Sequence, residues 1–235
     1  MSGWRPRASR TGDTVFLLDV DNTLLDNDRI IADLRRHLEI AIGALRARRY
    51  WEVFEHLRVE LGYADYLGAL QQYRRERPRD TRILQLSSYL LDYPFANRLF
   101  PGALEVIGRL KQEGQVAILT DGDVVFQPRK VERSGLLDAV GGHALIYVHK
   151  EKELSDVERR YPAQHYVLVD DKLRILTAVK RSWGQRVTTI QPLQGHYARD
   201  PEQQGPYPPA DRTIEHIGEL LVAPGGLGAQ GGERH

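Results

Sequence analysis

The 235-residue chain predicts an α/β fold, a parallel sheet with helical crossovers that is interrupted once by an inserted bundle of helices. Three observations carry that expectation. Short apolar, β-branched runs recur at 15–20, 116–120, 144–148, 166–169 and 187–190, and their lack of strict alternation points to strands buried on both faces. Helical patterns separate most of these runs, which implies right-handed crossovers and parallel neighbours. From 28 to 97, helical periodicity runs on with little else.

Taken in order, the first apolar run ends in Asp19-Val20-Asp21-Asn22-Thr23. The helical interval then opens with Ile30, Leu34, Leu38 and Ile42 at four-residue steps, the spacing of one helix face. It continues through 53–61, 63–73 and 83–91, with Gly62 and Arg77-Pro78-Arg79-Asp80 as breakers, so about four helices are expected. Tyr93-Pro94 and Phe100-Pro101-Gly102 mark the return, with hinges near 26–28 and 97–100. Leu104, Ile107 and Leu110 then predict a helix over 103–111, and Leu173, Leu176 and Val179 another over 172–181. The stretch 191–211, rich in Pro, Gly and Gln, reads as a long ordered loop, and Ile214, Ile217, Leu220 and Leu221 as a final helix on the sheet. The expected division is a sheet domain from 1–27 and 98–222, a helical domain over 28–97, and a disordered glycine-rich tail at 223–235.

Composition removes several function classes. Thirty-three basic residues against 32 acidic ones leave a net charge of +1, without the broad basic footprint of a nucleic-acid binder. The absence of cysteine excludes disulfides, thiolate metal sites and cysteine nucleophiles. No apolar stretch is long enough to span a bilayer and the first twelve residues have no signal-peptide core, so no membrane partner and a cytoplasmic location are expected. The oligomeric state is left open.

The chemistry concentrates at strand ends. Asp19 and Asp21 lie just beyond a buried strand, the usual ligand position in open α/β sheets, and their spacing projects both to one side of an extended backbone. A polar Asp-Asn turn is the plain alternative. A second run ends in Thr120-Asp121-Gly122, where a hydroxyl and turn N–H groups can meet phosphate oxygens. A third ends in Asp170-Asp171-Lys172, which taken alone also fits a helix N-cap. Together, carboxylates meeting at one edge repel by roughly 4 kcal/mol per close pair at 4 Å and an effective dielectric of 20. A divalent cation relieves that repulsion, and all-oxygen ligation without His or Cys favours a hard ion such as Mg²⁺.

These residues resemble the haloacid dehalogenase superfamily of hydrolases, from Asp19-Val20-Asp21-Asn22-Thr23 through Thr120 to Asp170-Asp171, over about residues 14 to 221. The resemblance implies a Rossmann-like core with the inserted helices as an α-helical cap. It departs from the family where Asp170 replaces the usual glycine before the metal-binding Asp, and where the lysine motif lacks its common proline. What it implies is a phosphatase acting on a small phosphorylated molecule. Asp19 would be nucleophile and metal ligand, and Asp21 general acid and base, with its backbone carbonyl as a further ligand. Thr120 and the amide of Asp121, beside Gly122, would hold phosphate oxygens, and Asp171 with Asp170 would complete the Mg²⁺ site.

A lysine is expected beside Asp19. Lys150, two residues past an apolar strand, is preferred to Lys152, while the helix over 125–133 is expected to carry Lys130 away from the strand ends. Asp21 favours phosphate esters over haloacids, because an alkoxide must be protonated as it leaves and chloride need not be. Phosphoryl transfer to another acceptor, 2-haloacid dehalogenation and a non-catalytic binding module are the alternatives. In the helical domain, the clusters Arg46, Arg48, Arg49, Tyr50, Trp51 and Tyr73, Arg74, Arg75, Arg77 are candidates to face an anionic substrate.

Overall fold

The computed structural model describes residues 14–222, so the tail expected at 223–235 lies outside the described residues. Strand β1 (Thr14–Leu18) is followed by four helices, α1 (Asn27–Ile42), α2 (Ala44–Leu61), α3 (Tyr66–Glu76) and α4 (Arg82–Asp92). The chain then alternates through α5 (Ala103–Leu110), β2 (Gln115–Asp121), α6 (Phe126–Arg133), α7 (Leu136–Ala139), β3 (Ala144–Tyr147), α8 (Leu154–Arg160), β4 (His165–Val169), α9 (Leu173–Trp183), β5 (Val187–Pro192), α10 (Pro201–Gln204) and β6 (Arg212–Ile214). The strands form one sheet in the order β3-β2-β1-β4-β5-β6, and every neighbouring pair is parallel. This is the Rossmann-like α/β architecture expected.

The unbroken apolar character of the strands follows from helices on both faces. Val15 and Leu17 pack with Ala117, Leu119, Tyr166 and Leu168 on one face, while Phe16 and Leu18 pack with Val116, Ile118, Val167 and Val169 on the other. The second cluster continues without a gap into the four-helix insert, through Leu24, Phe95 and Phe126 to Tyr66, Tyr50 and Leu38. Ile30, Leu34, Leu38 and Ile42 are all buried along α1, as their spacing requires. Where the two connections to the insert cross, they pair: the Asp26 N–H donates to the Arg98 carbonyl at 2.7 Å and the Phe100 N–H to the Leu24 carbonyl at 2.9 Å.

Two expectations are corrected at the far edge. Ile214 ends strand β6 rather than opening a helix, and Ile217–Leu221 is a 3-10 turn. Apolar residues at 214, 217 and 220 fit a helical face, and three strand residues are too few to show a period of two. The loop after β5 also carries a 3-10 turn at Tyr197–Arg199 and the short α10. It is tied to the β1 connection, with Gln194 Nε2 donating to the Thr23 carbonyl at 2.9 Å and the His196 N–H to Asp28 Oδ2 at 2.8 Å. Gly195 has φ of 73° and a Cβ there would lie 2.4 Å from Asn22 Cγ, so only glycine allows this approach.

Candidate active site

Leu18 stands in register with Ile118 of β2 and Val169 of β4, so Asp19 and Asp170 leave the sheet together at its carboxyl edge, beside Leu119-Thr120 near the end of β2. The strand order turns about β1 and β4, the position where open parallel sheets bind ligands. The Asp19 N–H donates to the Val169 carbonyl at 3.0 Å, which fixes its carboxylate against β4. Asp19 is 3% exposed, and Asp170 and Asp171 are fully buried. Beyond them Asn22 adopts φ of 59°, and its Oδ1 accepts the N–H groups of Asn27 and Asp28, so the turn starts helix α1.

Two lysines serve the two acids. Lys150 Nζ lies 2.5 Å from Asp19 Oδ1 and 2.6 Å from Asp170 Oδ2, and the side chain is buried. Burial alone would push its ammonium down, but Asp170, Asp19 and Asp121 outweigh burial and hold it well above its ordinary value. Lys130 corrects the sequence expectation. Instead of being carried away, it is 1% exposed and donates to Asp21 Oδ1 at 2.7 Å, to Asp21 Oδ2 at 2.9 Å and to Asn27 Oδ1 at 3.0 Å. The reason is directional: α6 begins directly after the β2 edge, and helical side chains lean toward the N-terminal end, so a long Lys there reaches back to the strand ends.

Thr120 is buried and its Oγ1 accepts from Gln127 Nε2 at 3.0 Å. The Asp121 carboxylate accepts the Lys150 N–H at 2.7 Å and so helps to place that lysine, while burial raises its pKa against the opposing pull of Lys150. Gly122 does not offer the free amide expected of the turn, because its N–H donates to the Tyr147 carbonyl at 2.9 Å. Its lack of a side chain matters instead, since a Cβ would lie 2.4 Å from Gln127 Cβ. Gln127, a contact of Thr120 seven residues on, carried no signal in the sequence.

The carboxylates of Asp19, Asp170 and Asp171 offer oxygens within 4.8 Å of one another. Asp19 Oδ2 and both Asp171 oxygens are buried without a hydrogen-bond partner among the described residues. Burial raises the Asp170 carboxyl to about 6 against the pull of Lys150, and raises Asp171 well above its ordinary value. Shielded oxygen donors with unmet charge are what a hard divalent cation takes, so this triad fits a metal.

Above this floor lies a cavity of about 850 Å³ between the sheet edge and the helical insert. Asp21, Asp121, Gly122 and Lys130 line its lower side, and Ile31, Arg35, Trp51, Phe54, Arg58 and Tyr66 its upper side. Of the two cap clusters singled out in the sequence, Trp51 alone lines the cavity. Arg46 pairs with Asp80 at 3.5 Å, Arg49 pairs with Glu52 and Glu76 at 3.0 and 2.7 Å, and Tyr50 and Tyr73 fill the cap core. Arg58 shares α2 with the first cluster and Arg35 lies on α1, and both line the cavity from positions that periodicity alone cannot tell from a solvated face. Among the described residues no helix is long and apolar enough to cross a membrane.

Comparison with known proteins agrees with this geometry. A search of curated proteins gives no match. A structure of a haloacid dehalogenase-like hydrolase from Burkholderia xenovorans LB400 is 60% identical, with a TM-score of 0.87 over 91% of this chain and 99% of that one. More distant folds include the HAD hydrolase YfnB from Bacillus subtilis bound to magnesium, at 17% identity and TM-score 0.60 over 89% of this chain and 97% of that one. Another is L-2-haloacid dehalogenase from Xanthobacter autotrophicus, at 15% identity and TM-score 0.58 over 88% and 96%. With the haloacid dehalogenase-like hydrolase profile matching residues 14–186, from β1 through β4 and α9, the chain belongs to that hydrolase family.

Proposed function

We propose that this hydrolase is a magnesium-dependent phosphatase of small-molecule phosphate monoesters. The observation that carries the reading is Asp21. It lies two residues beyond the buried Asp19, lines the cavity, keeps 26% of its side chain exposed and is oriented by two hydrogen bonds from Lys130. A halide leaves carbon without a proton, whereas an ester oxygen leaves phosphorus only as it gains one, so a positioned second carboxyl favours phosphate esters.

In this mechanism a carboxylate oxygen of Asp19 attacks phosphorus and the ester P–O bond breaks. Asp21 gives its proton to the departing oxygen, and the alcohol leaves an aspartyl-phosphate. Asp21, now a carboxylate, takes a proton from the water that attacks this intermediate, releasing inorganic phosphate and restoring Asp19. Lys150 offsets charge between Asp19 and the phosphoryl oxygens, and Thr120 with the amide of Asp121 binds those oxygens. Mg²⁺, held by Asp19, Asp170, Asp171 and the Asp21 carbonyl, would neutralise the phosphate as it approaches a carboxylate. Its presence in YfnB supports the choice of ion.

The haloacid dehalogenases that share the fold supply the second reading. Both are tested by measuring p-nitrophenyl phosphate hydrolysis with Mg²⁺ and with EDTA, beside chloride release from 2-chloropropionate. Phosphate release that needs the ion, without chloride release, is expected. Chloride release insensitive to EDTA would replace the phosphatase reading with the dehalogenase one.

A further inference from the structure

Most of the acids that line the cavity have a basic side chain as partner. Lys130 holds Asp21, Arg58 pairs with Glu55 at 2.7 Å and Arg174 with Glu151 at 2.6 Å, and the His196 ring meets Asp28 at 2.5 Å. Arg35 differs. Among the described residues it has no carboxylate partner, and its Cζ sits 4.0 Å over the Trp51 ring. The indole N–H of Trp51 is likewise buried without an acceptor among the described residues, in a side chain 8% exposed. One corner of the cap therefore gathers an exposed guanidinium and a buried indole N–H, neither of which has an acceptor among the described residues.

Stacking explains why the corner is suited to a ligand. An arginine on an aromatic face loses rotamer freedom before anything binds, while its edge keeps N–H donors in the fork that matches a carboxylate or phosphate. The cavity-lining Arg58 and Arg174 spend donors of this kind on carboxylates. Between this corner and the sheet edge, Ile31, Phe54 and Tyr66 give the cavity an apolar middle.

We infer that Arg35 on Trp51 is a distal anion subsite, and that the substrate is a phosphate ester carrying a second acidic group, carboxylate or phosphate, away from the bond that breaks. The inference rests on the phosphatase reading for the identity of the first phosphate. Arg35 acts here as a specificity residue, remote from the chemistry.

The test is calorimetric binding to the Asp19→Asn protein. The probes are n-alkyl phosphates, ω-phosphooxy carboxylic acids and α,ω-alkanediol bisphosphates of three to six carbons. At one chain length a doubly acidic probe should bind at least about tenfold more tightly than the alkyl phosphate of equal length, as expected for a charge-assisted pair. Arg35→Met should bring that ratio close to one, and Arg35→Glu below one, a reversal that loss of packing alone does not produce. The arm that shows the preference names the second group. A ratio near one at every length, or a preference that survives Arg35→Glu, overturns the subsite. Failure of the wild-type protein to hydrolyse any member of the series would instead overturn the phosphatase reading, and the binding ratios would still decide the subsite.

Discussion

Buried beneath the cavity, Asp19, Thr120, Lys150 and Asp170-Asp171 stand at or within three residues of the ends of four strands, whereas the cavity's upper side is drawn from helix faces, with Ile31 and Arg35 on α1 and Trp51, Phe54 and Arg58 on α2. The floor is tied together by the sheet's own hydrogen bonds and closed by buried ion pairs at 2.5 and 2.6 Å. The upper side is held by aromatic packing and by half-exposed pairs such as Arg58 with Glu55. Substitutions in the floor should therefore act on the chemical step, and those above it on which substrate is accepted.

The largest expected effect falls on Asp19, the proposed nucleophile. Asp19→Asn should abolish turnover while the protein melts at or above the wild-type temperature, because an amide does not attack phosphorus and one of several crowded carboxylate charges is gone. Activity of a tenth of wild type in deamidation-free protein would remove Asp19 from that role. Next is Lys150→Met. It keeps the apolar stem but leaves Asp19 and Asp170 without their shared cation, so it should lose most of the rate and about 3–5 kcal/mol of stability by chemical denaturation. Lys152→Met, which alters a residue with an exposed side chain, should stay near wild type, and the reverse ranking would move the role to Lys152.

Lys130 sharpens the comparison, since it belongs to the floor by contact and to a helix by sequence. Lys130→Met frees the Asp21 carboxylate from both hydrogen bonds. It should cost about 10- to 100-fold with alkyl phosphates, less than the 10²- to 10⁴-fold of deleting the general acid and base outright. With p-nitrophenyl phosphate, whose leaving group needs little protonation, the loss should shrink to a few-fold. An equal loss with both substrates would mean that Lys130 supports the fold or binds phosphate and does not position Asp21.

Legibility in the sequence divides along the same line. All five apolar runs proposed as strands are strands, because burial on both faces writes itself as an unbroken apolar run. Asp19, Lys150, Asp170 and Asp171 could be placed together because each lies within three residues of such a run, so that sequence distance measures distance to the edge. Lys130 and Gln127 could not, since their reach depends on where α6 packs. Arg35 was hidden for a different reason: the i, i+4 spacing that sets it beside Ile31 is shared by every exposed helical arginine. The sixth strand was missed because it makes only three pairings at the sheet edge.

The smallest expected effect comes from the cap arginines that composition made conspicuous. Arg49 bridges Glu52 on its own helix and Glu76 on α3, yet its side chain is 48% exposed and it does not line the cavity. In water such a pair gains little, because the charges are screened and two long side chains lose freedom to hold one geometry. Arg49→Gln should leave kcat/KM within about twofold and shift the thermal midpoint by no more than about 2 °C, with the small loss vanishing at high salt. Arg35→Gln, one helix away, should raise KM for the doubly acidic substrate with little change in kcat. Equal KM effects from the two substitutions would mean that charge anywhere on the cap attracts the substrate, and the distinction between cavity-lining and outward-facing arginines would fail.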